Sequence, residues 1–199
     1  MRELILSMSM SLDGFVSGPG GEVDWIFSDD EQAKAWKLQT VRNASLHIMG
    51  SHTFRDMAAF WPTSTMGFAA AMNQIPKAVF SKRGAAVLDG LAARTGTGQP
   101  LQAGAESWAQ PYIAGGGIVD EIRRLKASGG KPIIAHGGAA FARSLIAHNL
   151  VDVYALLVHP IALGQGRPIF AELPATRPLK RVGSKAFPGG AMAQIYRPG

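Results

Sequence analysis

The chain has 199 residues, 47% of them apolar and none of them cysteine, which is enough to bury one core and excludes disulfides and thiolate metal sites. Twenty Lys and Arg residues against fourteen Asp and Glu residues give a net charge of +6, but the basic residues form short scattered clusters without aromatic residues between them, so no nucleic-acid partner is expected. No apolar run is long enough to span a membrane and no signal peptide is recognisable, so we expect a soluble, cytoplasmic protein that forms one domain over residues 1–199.

The N-terminal segments predict a strand followed by a helix. Residues 4–10 are mostly apolar and predict a buried strand, which a glycine-rich loop follows. Ser28 and Glu31 have the spacing of a capping box, in which each side chain accepts a hydrogen bond from the other's backbone N–H. This box predicts a helix over residues 29–43.

The next segments predict two further strands. Residues 46–49 form the first, and Ser51 is placed to cap the helix that follows it. Residues 78–81 form the second strand. The region 84–106 is rich in Ala and Gly and weakly patterned, and a short helix over residues 87–94 is the one element it offers.

The region after residue 117 returns to clear helix and strand patterns. Four apolar residues at helical spacing predict a helix that ends at Gly129 and Gly130. These four residues are Ile118, Val119, Ile122 and Leu125. Residues 132–135 predict a strand, and a helix with Asn149 as its C-terminal cap follows.

The C-terminal segments complete the predicted fold. Residues 151–158 are the longest strand-like run and suit the centre of a sheet. Residues 179–196 contain a turn at 188–190 between two strand-like segments and predict a hairpin. The sequence therefore predicts an α/β fold, a three-layer αβα sandwich with a central mixed, mostly parallel sheet and a C-terminal antiparallel hairpin.

Gly137 and Gly138 lie between a predicted strand and a predicted helix. The first N–H groups of a helix have no intrahelical partner and lie at the positive end of its dipole. Glycines in front of them let an anion approach the backbone. The pair is therefore typical of a phosphate site, although a simple tight turn has the same two residues.

Two further strand ends also carry residues suited to phosphate. One is the segment Gly50–Thr53, which leads into a helix, and the other is Ser81–Arg83. Ligands of open α/β sheets collect at the carboxyl ends of the strands. A dinucleotide needs several such contacts at once, so we expect the turns at residues 50, 81 and 137 along one edge of the sheet.

The order of these segments resembles the dihydrofolate reductase fold. The resemblance is carried by Leu12–Gly14, Met49–Phe54, Val79–Ser81 and His136–Ala139. Within that fold the chain is more similar to the reductase domain of the bifunctional riboflavin-biosynthesis deaminase/reductase and its stand-alone relatives, through the segment His159–Gly166.

The resemblance implies an NADPH-dependent oxidoreductase, a homodimer that reduces a small pteridine- or pyrimidine-like heterocycle. Its reaction would be of the dihydrofolate reductase or 5-amino-6-(5-phosphoribosylamino)uracil reductase type. By position, Ser9 and Val16 would line the nicotinamide of NADPH. The residues that would contact its phosphates are Gly50, Ser51, His52 and Thr53 near the adenosine end, Ser81, Lys82 and Arg83 at the 2′-phosphate, and Gly137, Gly138, Ala139 and Ala140 at the diphosphate.

No motif identifies the proton donor of such a reaction. Asp24, His136 and Asp13 are the candidates, because each follows a strand or lies in the first long loop. Asp13 is also placed to brace a turn, and His136 to bond a neighbouring loop at neutral pH. Ser7 stands where the riboflavin-pathway reductase carries a lysine, and Lys34 falls near the acid of dihydrofolate reductases.

The same residues bear on two other functional classes, a metal-binding protein and a non-catalytic binding protein. The five histidines lack metal-ligand spacing, so no metal site is expected. A non-catalytic nucleotide- or ligand-binding protein on the same fold, which kept the phosphate contacts and lost the acid, is the alternative to an enzyme.

Overall fold

The structure is a computed structural model that describes residues 1–27, 29–91 and 100–199. Its strands are β1 (Leu4–Met10), β2 (Leu46–Gly50), β3 (Lys77–Phe80), β4 (Tyr112–Ala114), β5 (Ile133–Ala135), β6 (Val153–Val158), β7 (Leu179–Ala186) and β8 (Met192–Pro198). Its helices are α1 (Glu31–Arg42), α2 (Ser51–Phe60), α3 (Ala69–Gln74), α4 (Glu106–Ala109), α5 (Ile118–Ala127) and α6 (Ala139–Ala147), with 3₁₀ turns at Asp24–Ile26 and Gly84–Leu88. In the described ranges, no helix has the length and apolar character needed to cross a membrane.

The eight strands form one mixed sheet in the order β4-β3-β2-β5-β1-β6-β8-β7. Strand β1 is parallel to β6, and β3 is parallel to both β2 and β4. Strand β8 is antiparallel to β6 and to β7. The mixed, mostly parallel sheet and the C-terminal antiparallel hairpin are thus confirmed.

The chain divides into two compact units. The first unit contains residues 1–2 and 41–134, and the second contains residues 3–40 and 135–199. The organisation of residues 1–199 as a single domain stays a prediction.

In the first unit, the ends of β2 and β3 are neighbours. Gly50 is paired with Phe80 in the parallel register, so the turns that begin at Ser51 and Ser81 leave the same end of adjacent strands. Helix α2 packs on both strands, with Phe54 fully buried. Two of the three predicted phosphate-facing turns are therefore adjacent, as expected.

The first unit also buries a lysine. Lys77 is 2% exposed, and its ammonium donates to the hydroxyl of Ser107 at 2.6 Å and to three backbone carbonyls near the end of α3. These carbonyls belong to Met72, Asn73 and Ile75, at 2.5, 3.2 and 2.5 Å. The ammonium also lies 4.2 Å from the centre of the Trp108 ring. Lys77 therefore caps the C-terminal end of α3, where carbonyl groups have no helical partner.

In the second unit, helix α1 covers one face of β6 and β8. A buried cluster joins Ala33 of α1 to Leu157, Ala193 and residues of the hairpin turn, and Trp36 packs against it. Leu157 is paired with Ser9 in the parallel register of β1 and β6. Side chains alternate between the two faces of a strand, so Ser7 and Ser9 point to the face on which α1 packs.

Several sequence predictions of local structure need correction. The N-terminus of α1 is capped by Asp30, whose Oδ1 accepts hydrogen bonds of 3.0 Å from the N–H groups of Gln32 and Ala33. Ser28 of the predicted capping box lies outside the described residues. Ser51 is the first residue of α2 rather than its cap; Gly50 takes the cap position and no side chain bonds there.

The weakly patterned region was predicted least well. A short helix was expected over residues 87–94. The structure has a 3₁₀ turn at Gly84–Leu88 instead, and residues 92–99 lie outside the described residues. Helices α3 and α4 and strand β4 were not predicted, because segments of three to six residues show little periodicity. Helix α6 ends at Ala147 with His148 as its cap residue, so the predicted cap Asn149 lies one residue beyond it, with a left-handed φ of 55°.

Replacing Lys77 with Met is expected to lower the free energy of unfolding by about 3 kcal/mol or more, because it leaves several buried carbonyls without a donor. Urea unfolding followed by tryptophan fluorescence measures the change. Lys180→Met, at an exposed position of β7, is the matched control and is expected to have little effect. Equal losses in the two variants would contradict the capping role of Lys77.

Candidate functional site

The start of α6 has the backbone geometry of an anion site. Gly137 and Gly138 have φ values of 98° and 83°, which side chains disfavour. Gly138 is the cap residue, and within the described residues no side-chain cap hydrogen bond is found there. Its carbonyl accepts the first helical bond, from Ala142 at 2.9 Å. The amides of Ala139 and Ala140 therefore begin the helix without a side-chain partner, which fits a diphosphate.

The loop after β1 is held by the loop after β6. The Asp13 carboxylate accepts hydrogen bonds from the N–H groups of Leu163, at 3.0 Å, and of Gly164, at 2.7 Å. A Cβ on Gly166 would lie 2.3 Å from the carbonyl oxygen of Ser17, so only glycine fits there. The segment His159–Gly166, which carries the family resemblance, therefore acts as a clamp on the first loop.

The clamp fixes the position of Val16. Its N–H donates to the carbonyl of Arg167 at 3.0 Å, and its side chain is buried. Ser9, the next-to-last residue of β1, is half-buried. These two residues, predicted to line the nicotinamide, and the glycine pair belong to the second unit.

The residues predicted for the adenosine end belong to the first unit. Lys82 and Arg83 are exposed just beyond β3, and the Ser81 hydroxyl accepts a hydrogen bond of 3.1 Å from the N–H of Arg83. His52 is exposed on α2 and lies 3.1 Å from the carboxylate of Asp56. Ser51 and Thr53, in the first turn of α2, are half-buried, as is Gly50 before them.

The three candidate proton donors lie in different environments. Hydrogen bonds from Ser11 and from the N–H groups of Gly164 and Leu163 lower the pKa of Asp13. A carboxyl group held ionised in this way is poorly suited to donate a proton. Asp24 is exposed at the start of a 3₁₀ turn, and His136 is half-buried directly after β5. The catalytic assignments of all three stay predictions.

Sequence reasoning missed three polar side chains of the second unit. Lys37 of α1 is 8% exposed, and in the described part of the chain Nε2 of His159 and Nε1 of Trp25 are buried without a hydrogen-bond partner. Burial lowers the pKa of Lys37 to about 8, and burial together with the charge of Lys37 lowers the pKa of His159. The signal for Lys37 was available, because it falls on the apolar stripe of α1 that contains Ala33 and Trp36.

No group of three or more potential metal ligands is found within residues 1–27, 29–91 and 100–199. The site therefore offers backbone amides at one helix end and a glycine-rich loop that the clamp holds in place.

Known proteins share this architecture. The uncharacterized protein YyaP of Bacillus subtilis (strain 168) is 28% identical over 195 residues, which cover 98% of this chain and 94% of YyaP. The crystal structure of a putative riboflavin biosynthesis protein from Shewanella sp. PV-4 has a TM-score of 0.72 and 19% identity, covering 100% of this chain and 99% of that one. Dihydrofolate reductase from Enterococcus faecalis, solved in complex with NADP(H), has a TM-score of 0.59 and 13% identity, with 98% and 96% of the two chains covered.

The structural likenesses confirm the predicted dihydrofolate reductase-like fold. The sequence model for the RibD C-terminal domain matches residues 2–193. Because this match spans nearly the whole chain, the protein belongs to the RibD C-terminal domain family.

Proposed function

We propose that this protein is an NADPH-dependent reductase that transfers a hydride to a pteridine- or pyrimidine-like heterocycle. The observation that carries the proposal is the pair of glycines with positive φ before α6, whose free amides no side chain caps. Membership of a reductase-domain family and the NADP(H) bound to the similar dihydrofolate reductase support it.

The second unit would hold the diphosphate and the nicotinamide. The amides from Gly137 to Ala140 would donate to the diphosphate, and the dipole of α6 would stabilise its negative charge. Val16, held by the clamp, would exclude water from one side of the ring beside Ser9. When bound, NADPH supplies the hydride, while the protein positions the acceptor.

The preference for NADPH over NADH would come from the first unit. Lys82 and Arg83 are exposed cations directly after β3, and charge-assisted hydrogen bonds to a phosphate are the strong ones. Gly50, Ser51, His52, Thr53 and Ser81 would contribute at the same end of the cofactor. The proposal further includes a homodimer and a cytoplasmic location, both taken from the resemblance; light scattering tests the dimer.

A non-catalytic ligand-binding protein is the second candidate. It is favoured by the environment of Asp13, whose carboxylate is engaged by the clamp and kept ionised. Consumption of NADPH at 340 nm with dihydropteridine and aminopyrimidine substrates distinguishes the two candidates, since only the reductase oxidises NADPH.

Replacing Gly138 with Val is expected to weaken NADPH binding more than tenfold, because the side chain disfavours the φ of 83° and obstructs the approach of a phosphate. Fluorescence titration with NADPH measures the affinity. Gly129→Val is the matched control: its φ is 71° and no atom lies within 4 Å of an added Cβ. Unchanged affinity in the Gly138 variant would contradict the diphosphate site.

Replacing both Lys82 and Arg83 with Ala is expected to lower the affinity for NADPH about tenfold and to leave the affinity for NADH nearly unchanged, because only NADPH carries the 2′-phosphate. Lys180→Ala with Arg181→Ala removes the same two charges from β7 and serves as the control. Equal losses for the two cofactors would remove the 2′-phosphate role.

A further inference from the structure

Helix α6 contains a single charged residue, Arg143, and no acidic residue in its first turn. Helix α2, at another of the predicted phosphate-facing turns, also lacks an acidic residue in its first turn. The first turns of α1 and α5 carry carboxylates that offset the positive end of the helix dipole, namely Glu31 in α1 and Asp120 and Glu121 in α5. The N-terminal end of α6 therefore has no negative charge of its own to balance the dipole.

Arg143 differs from the other half-buried arginines in having no partner. Its guanidinium forms no hydrogen bond or ion pair with another residue of the described ranges. Three further arginines in these ranges are half-buried, and each of them donates to a backbone carbonyl. They are Arg2, Arg55 and Arg177, which donate to Leu125, Asp89 and Ile146 respectively. The N–H donors of the Arg143 guanidinium therefore stay available to a ligand.

The position of Arg143 on α6 brings it to the predicted diphosphate site. Residues three and four positions apart are neighbours on a helix, so Arg143 adjoins Ala139 and Ala140. Long side chains in a helix extend over the turn on their N-terminal side. We therefore expect the guanidinium to lie over Ala139 and Ala140, whose own side chains are single methyl groups. Another side of the helix, which carries Leu145 and Ile146, is buried.

We propose that Arg143 binds the diphosphate of the cofactor together with the first backbone amides of α6. This inference rests on the proposed function. It adds a charged side chain to a part of the site where Gly137, Gly138, Ala139 and Ala140 offer only backbone N–H groups.

The chemistry of a guanidinium suits this ligand. Its planar group can donate two parallel hydrogen bonds to phosphate oxygens, and such bonds are stronger than those between neutral groups. The helix dipole and the charge of Arg143 attract an anion from the same direction, whereas without a ligand these two positive charges repel each other. The diphosphate is common to NADPH and NADH. Arg143 is therefore expected to contribute equally to both cofactors, in contrast to Lys82 and Arg83 at the 2′-phosphate.

Titration calorimetry on the full chain tests the inference with three probes: NADPH, ADP-ribose and adenosine 2′,5′-bisphosphate. ADP-ribose carries the diphosphate without the nicotinamide or the 2′-phosphate, and the bisphosphate lacks the diphosphate. Arg143→Met keeps most of the apolar chain and is expected to weaken the binding of NADPH and ADP-ribose about tenfold or more, because it removes charge-assisted hydrogen bonds. Its affinity for the bisphosphate is expected to stay unchanged. Arg143→Lys, which keeps the charge but loses the planar donor group, is expected to give a smaller loss.

Arg181→Met provides the matched control. Arg181 is exposed on β7 in the same unit, and it too has no hydrogen bond or ion pair among the described residues. Its replacement removes the same charge and is expected to keep all three affinities. Arg143→Met is expected to have a Tm at least as high as that of the wild-type protein, since it removes a cation beside the positive end of the dipole. Its weaker binding then cannot come from unfolding.

Equal affinities of the wild-type protein and Arg143→Met for NADPH and ADP-ribose would overturn the inference, as would an equal loss for the bisphosphate. A wild-type protein that binds ADP-ribose through Arg143 but does not bind NADPH would overturn the proposed function alone. Binding of NADPH that does not depend on Arg143 would overturn this inference alone. Failure of the wild-type protein to bind either ligand would overturn both.

Discussion

The parallel pairing of β1 with β6 is the constraint on which the second unit depends. The contact continues beyond both strands: the N–H of Leu12 donates to the carbonyl of Ile161, and Phe15 forms an isolated bridge with Pro168. The loop after β1 is rich in glycine, but its hydrogen bonds to the loop after β6 hold it in one conformation. Val16 and the 3₁₀ turn that carries Trp25 are placed by that conformation rather than by local sequence.

Lys77 and Lys37 are both buried, but in different surroundings. Lys77 is surrounded by carbonyl oxygens, and its charge completes the end of a helix. Lys37 has no such acceptors among the described residues, and burial lowers its pKa to about 8, as it lowers the pKa of Lys77 to about 7. Burial alone does not separate the two cases, whereas the count of acceptors does.

Much of the fold was predictable from the sequence because its main elements have strong patterns. Strand β1 and helix α5 were predicted within a residue or two from apolar periodicity, and the C-terminal hairpin from its turn residues. The glycine pair was identified as an anion site candidate because its chemistry is local. Strand β4 was not predicted, because three residues are too few to show a periodic pattern of apolar side chains.

The missing parts of the site depend on contacts between distant residues. Asp13 and Leu163 are 150 positions apart, so the sequence indicated a turn brace or a proton donor at Asp13 and not its bonds to the second loop. Lys37 was not predicted to be buried because a lysine in a helix is usually solvated, although it shares the apolar stripe of α1 with Ala33 and Trp36. His159 was identified as part of a motif. The sequence does not show that its ring meets the ring of Trp25, or that its Nε2 is buried without a hydrogen-bond partner among the described residues.

Strand β7 constrains how copies of this protein can associate. It stands at one end of the sheet, and its side chains are mostly exposed, among them Lys180, Arg181 and Lys185. Pairing this edge with the same edge of a second copy would bring rows of cations together. The repulsion protects the free backbone groups of the edge from recruiting further strands into a continuous sheet. The β7 edge is therefore poorly suited to pairing with the same edge of a second copy.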